Sequence, residues 1–129
     1  MPLTSQQMIK NAEAEIETLD IKSALANVND TSFTYVDIRD IRELWREGKI
    51  SGASHAPRGM LEFWIDPKSP YHREMFAEDK TFVFYCASAW RSALATLTAQ
   101  QMGLKACHIS GGFTAWKEAS GPIDTVEKK

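Results

Sequence analysis

The sequence predicts a three-layer α/β domain, and three observations carry that prediction. Short β-prone runs alternate with stretches of helical period along the chain. One run, TFVFY at residues 81–85, is apolar without a break, as suits a strand buried on both faces of a parallel sheet. The 129 residues are 43% hydrophobic, enough for a single core, and no repeat, low-complexity tract or linker divides them.

The ends of each element mark it out. TSQQ offers Thr4 as an N-cap with Gln7 as its partner, opening a polar helix with Met8, Ile9 and Ala12 that rests on the surface over residues 1–15. IETL, residues 16–19, reads as a short edge strand. Asp20 caps a second helix whose Ile21, Ala24, Leu25 and Val28 recur at helical spacing and face the core. FTYVDI, residues 33–38, is a strand; Asp40 then caps a helix while Glu43 reaches back, leaving Ile41, Leu44 and Trp45 on one side until Gly48 ends it. ASHAP enters the sheet briefly before Pro57 stops its ladder. RGMLEFWIDPKSPYHREMF holds two short helical stretches on either side of DPKSP, whose prolines favour a turn. After TFVFY come Cys86 and the loop ASAW. A helix over residues 91–102 follows, with Leu94, Leu97 and Met102 among small alanines and Gly103 as its left-handed cap. KACHI is the last strand, and GGFTAWKEA turns into a final helix with Phe113 and Trp116 available for packing.

Charge and composition exclude several classes. A formal net charge of -2, with both signs interspersed, gives no basic stripe for nucleic acid. No run approaches the roughly 20 apolar residues that cross a bilayer, and MPLTSQQMIKNAEAE lacks the pattern of a secretion signal, so a cytoplasmic location and no membrane partner are expected. Two cysteines do not make a disulfide scaffold; reduced thiols are the simpler expectation, although spacing leaves a bridge between Cys86 and Cys107 open. His55, His72 and His108 are dispersed, so no metal and no cofactor are expected.

Cys86 sits where chemistry is easiest to build. If the sheet is parallel, the loop after residues 81–85 lies at the C-terminal edge of a strand, where such folds place ligands. A tight turn into a helix presents backbone N–H groups that lack intrahelical partners, and such a cradle favours an anion, hence a thiolate at Cys86. Ala87, Ser88, Ala89 and Trp90 would form the cradle with Arg91, which either orients an anionic substrate, braces the loop or is an ordinary helix-start charge. Asp37 and Arg39 read as mutual structural support at a strand end, with Glu43 completing that network or simply a capping box. Arg58 and Trp64, with Tyr71 and His72, are candidates for a pocket rim or plain surface packing. Cys107, inside an apolar strand, reads as core or as a resolving thiol.

Three segments, YVDIRDIRELWREGKISGASHAPRG, YCASAWRS and GLKACHISGGFTAW, together resemble single-domain rhodaneses over most of residues 16–119, leaving residues 120–129 as a C-terminal tail. Asp37, Arg39 and Glu43 match the family's acid, arginine and glutamate near the second strand. Gly52, Ala53 and Pro57 match its glycine-rich return, and Gly111-Gly112 the glycines before the last helix. Cys86 aligns with the sulfur-carrying cysteine. The resemblance implies a central five-stranded parallel sheet flanked by helices. It also implies a two-step transfer in which Cys86 takes sulfur from thiosulfate or a persulfide and hands it to a thiol, a protein cysteine or another nucleophile, with neither metal nor cofactor. The sequence departs from the family at Ala89, where many members have glycine. Two other readings remain: a noncatalytic rhodanese-like interaction domain, and a phosphatase-like enzyme. Phosphatases of related fold have one more residue between cysteine and arginine than the four present here, and would need a general acid, for which Asp66 is the sequence candidate.

Overall fold

Strands Glu17–Leu19 (β1), Phe33–Asp37 (β2), Ser54–His55 (β4), Thr81–Tyr85 (β5) and Lys105–Ile109 (β6) form one parallel sheet in the order β1-β6-β5-β2-β4. The computed structural model describes residues 2–128. Its helices are Ser5–Glu15 (α1), Ile21–Asn27 (α2), Ile41–Glu47 (α3), Leu61–Ile65 (α4), Trp90–Gln101 (α5) and Gly112–Glu118 (α6), with single tighter turns at Arg58–Met60 and Glu74–Ala77. The five-stranded parallel α/β architecture expected from the sequence is the one observed, and TFVFY is its central strand.

The period of two along β5 divides the core. Phe82, Phe84 and Cys86 face one layer, with Val36, Ile38, Leu61, Ile65, Phe76, Ala95 and Ala99. Val83 and Tyr85 face the other, with Ala24, Cys107, Ile109, Phe113 and Trp116. Helices α4 and α5 therefore cover one side of the sheet and α2 and α6 the other. Asp20 caps α2 through the Ser23 N–H at 2.7 Å, and Thr4 with Gln7 forms the expected capping box of α1.

Two helices bury faces that the sequence reading did not specify. The buried face of α5 is made of Ser92, Ala93, Ala95, Thr96 and Ala99, while Leu94 and Leu97 are half-buried and Met102 is exposed. The helix lies between the sheet and α1, whose Ile9 and Ala12 pack on Ala93, and only small side chains let it approach both. On α3, Leu44 is buried but Ile41 is exposed, because the first turn of that helix points away from the core.

A second, two-stranded ribbon was not anticipated. Lys49–Ile50 (β3) pairs antiparallel with Ile123–Asp124 (β7). Residues 120–124 are stitched to the domain: Trp116 Nε1–H donates to the Pro122 carbonyl at 2.9 Å, and Asp124 accepts from Ser51 Oγ and the Gly52 N–H. No helix among the described residues is long and apolar enough to cross a membrane.

Candidate active site

Cys86 occupies the corner between β5 and α5 at the C-terminal edge of the central strand. Its Sγ receives two backbone donors, the Ala89 N–H at 3.2 Å and the Ser92 N–H at 3.3 Å. The first donor is aimed by a left-handed turn: Ala89 has φ 85° and ψ 1°, a conformation costly for any residue bearing a Cβ. The second belongs to the first turn of α5, whose N–H groups have no intrahelical acceptors. Cys86 is only 1% exposed.

The floor of the loop is built by α6. The Phe113 N–H donates to the Cys86 carbonyl at 2.8 Å and the Thr114 N–H to the Ala87 carbonyl at 3.1 Å. This close approach needs glycine: a Cβ on Gly112, at φ 60°, would stand 2.6 Å from the Cys86 carbonyl oxygen.

Arg91 is tied down. Its guanidinium donates to both oxygens of Glu43, at 2.8 and 3.1 Å, and Glu43 in turn accepts from the Asp40 N–H at 3.1 Å. The Arg91 hydrogen bond holds the Glu43 carboxyl below its ordinary range, against a smaller opposing effect of burial. The arginine itself is raised chiefly by Glu43, with Cys86 near enough to add to it. Glu43 thus serves both the capping box of α3 and the bridge from α3 to the start of α5.

The other sequence candidates fall in three places. Asp37 and Arg39 form a fully buried pair: Arg39 Nη2 lies 2.7 Å from Asp37 Oδ2 and also donates to the Gly48 carbonyl at 2.7 Å, with its plane 4.2 Å from the Phe113 ring. They lock β2 to α3 and α6. Arg58 is paired with Glu62 at 2.9 Å and reaches Thr98, while Trp64 lies beneath Arg73 at 4.3 Å; no hydrogen bond or ion pair among the described residues joins either to the Cys86 loop. The groove that Trp64 lines, about 300 Å³ with Pro70, Tyr71, His72 and Arg73, includes no loop residue. Cys107 is a free thiol on the opposite face of the sheet from Cys86, so the two cannot bridge, and burial pushes its thiol up to about 12. Among the described residues no cluster of acid, histidine and cysteine side chains could hold a metal ion.

Sequence reasoning did not single out Ser92 or His108. Ser92 supplies a cradle N–H, and its hydroxyl lies 2.9 Å from His108 Nδ1. The orphan donors at a helix start were the available signal for Ser92; for His108, a histidine in an otherwise apolar strand was.

The family model described as "Rhodanese-like domain" matches residues 20–119. A Bacillus subtilis protein named "Putative sulfurtransferase YtwF" is 29% identical over 108 residues, covering 84% of this chain and 94% of that one. Among solved structures, a protein of unknown function from Rhodopseudomonas palustris, described as a possible tyrosine phosphatase, is 53% identical with a TM-score of 0.90, covering 96% of this chain and 99% of that one. The polysulfide-sulfur transferase of Wolinella succinogenes is 30% identical with a TM-score of 0.67, covering 92% of this chain and 85% of that one.

Proposed function

Because the chain belongs to the rhodanese-like domain family, we propose that it is a sulfurtransferase in which Cys86 carries the transferred sulfur. The observation that supports this most is the pair of N–H groups on the Cys86 sulfur, a preorganised site for anionic sulfur at the end of the central strand. In the first half-reaction the Cys86 thiolate attacks the outer sulfur of thiosulfate. A new S–S bond forms, the donor S–S bond breaks, and sulfite leaves with the electron pair. A persulfide donor would release its thiolate instead. In the second, an acceptor thiolate attacks the terminal sulfur of the persulfide and Cys86 departs as thiolate, ready for another cycle. The acceptor is a small thiol or a protein cysteine.

A phosphatase reading draws on the relative described as a possible tyrosine phosphatase. Against it, only four residues separate Cys86 from Arg91. The Asp66 carboxylate accepts from the Lys68 N–H at 2.9 Å, and no hydrogen bond or ion pair among the described residues joins it to the Cys86 loop.

The test incubates purified protein with thiosulfate, polysulfide or a low-molecular-weight persulfide and measures its mass before and after reductant. A reducible gain of one sulfur on Cys86 is expected, lost in Cys86→Ser and retained in Cys107→Ser. No gain with any donor would favour a noncatalytic interaction domain, and Cys86-dependent hydrolysis of an aryl phosphate would favour the phosphatase. Loss of transfer in a folded Cys107→Ser variant would reinstate a second thiol.

A further inference from the structure

The alternation along β6 puts Cys107 and Ile109 in one layer and turns His108 to the other, the side of its β5 neighbour Phe84 and of Cys86. There a polar ring, 1% exposed, stands beside an apolar layer. Both ring nitrogens have partners: Nδ1 lies 2.9 Å from Ser92 Oγ on α5, and Nε2 3.2 Å from Thr18 Oγ1 on β1. Ser92 is fully buried on α5, whose other buried residues include Ala93, Ala95 and Ala99. A buried hydroxyl needs a hydrogen-bond partner, and His108 supplies it. The backbone of the same residue donates to the Cys86 sulfur.

We propose that Ser92 and His108 are positioning residues for the sulfur site: their buried hydrogen bond pins the first turn of α5 to β6 and so holds the Ser92 N–H on the Cys86 sulfur. This rests on the reading of Cys86 as the sulfur carrier. The physical reason is the short reach of the contact. An N–H to sulfur at 3.3 Å weakens steeply with displacement or misalignment, and the start of a helix is where backbone is least restrained by its own hydrogen bonds. A side-chain bond from the same residue to a strand removes that freedom. Around the ring, α1 contributes Glu13, β1 contributes Thr18, α5 contributes Ser92, and the paired strand β5 contributes Phe84. Burial lowers the His108 pKa, with Glu13 opposing, which keeps the ring neutral near pH 7 and suited to a neutral hydroxyl partner.

The experiment uses the full chain and four variants: His108→Leu, His108→Asn, Ser92→Ala and the double variant Ser92→Ala with His108→Leu. Each is measured for the rate of Cys86 alkylation by iodoacetamide at pH 7, the rate of sulfur loading, and urea unfolding. His108→Leu and Ser92→Ala are each expected to slow alkylation and loading about tenfold, the loss that follows when a charge-stabilising hydrogen bond is misplaced. The double variant should lose no more than the worse single one, since both remove the same bond. His108→Asn places an amide group near the position of Nδ1 and should restore rates to within about twofold. Unchanged rates in folded Ser92→Ala overturn the proposal, as do additive losses in the double variant or a failure of asparagine to rescue where leucine fails. If His108→Leu does not fold, Ser92→Ala, which removes a single oxygen, carries the decision. Should the wild type accept no sulfur from any donor, the transferase reading fails, while the alkylation rates still test the positioning.

Discussion

Ala89 concentrates the tension between the loop's local conformation and its use. Its left-handed backbone, φ 85°, aims the N–H at the Cys86 sulfur while carrying a Cβ that costs roughly 1–2 kcal/mol there. Ala89→Gly removes that strain but gives the unfolded chain more freedom, by roughly 0.5–1 kcal/mol, so net stability should rise by about 1.5 kcal/mol at most. Because the turn is already the one glycine prefers, sulfite release from thiosulfate should be preserved or raised. A tenfold loss of turnover in the folded variant would show that the alanine methyl itself holds the loop. That Gly111-Gly112 match a family's glycines before the last helix was legible in the sequence. Which atom forbids a side chain at Gly112, the Cys86 carbonyl, was not.

Between elements, the decisive link is the fork from Arg91 on α5 to Glu43 on α3. The sequence left Arg91 divided between substrate contact, loop support and a plain surface charge. The structure ties it bidentately to a carboxylate 48 residues away, which makes it a brace, while leaving its side chain 42% exposed beside the sulfur site. Arg91→Ala therefore does two things: it frees the start of α5, and it leaves Glu43 unpaired near the sulfur. The second effect falls harder on an anionic donor than on a neutral one. With the screening expected at so exposed a group, thiosulfate loading should drop by about tenfold more than loading from an uncharged sulfur donor. Equal losses for both donors in a folded variant would leave Arg91 a brace only. Arg91→Lys should recover little, because an ammonium cannot reproduce the fork.

At the scale of the whole molecule, two buried or half-buried groups contribute to the acid side of stability. His108 is lowered by burial below its ordinary 6.5, so the unfolded chain binds more protons there and stability falls as pH drops below that value. Glu43 is depressed below its ordinary 4.5 by Arg91; its contribution is complete above that value and is lost as pH falls through the folded pKa. Urea midpoints should decline in two stages, the first absent in His108→Asn and the second reduced in Glu43→Gln, since Asp20, Asp30, Asp40 and Asp124 are lowered as well; a single acid transition unaffected by His108→Asn would contradict the assignment. What the sequence determined by itself was what neighbours in the chain dictate. Thr4, Asp20 and Asp40 declared the helix starts, the unbroken apolar run declared the central strand, and the cysteine between that strand and a helix marked the candidate site. Those signals act within a few residues, where propensity, capping and alternation operate. The tertiary structure alone decided that Lys49–Ile50 pairs with Ile123–Asp124, that Cys107 faces away from Cys86, and that His108 stands behind Ser92, 16 residues from it in sequence. Each depends on which strand lies beside which and on the face a side chain takes in the assembled sheet, and a one-residue change of register would reverse that face without altering any local preference.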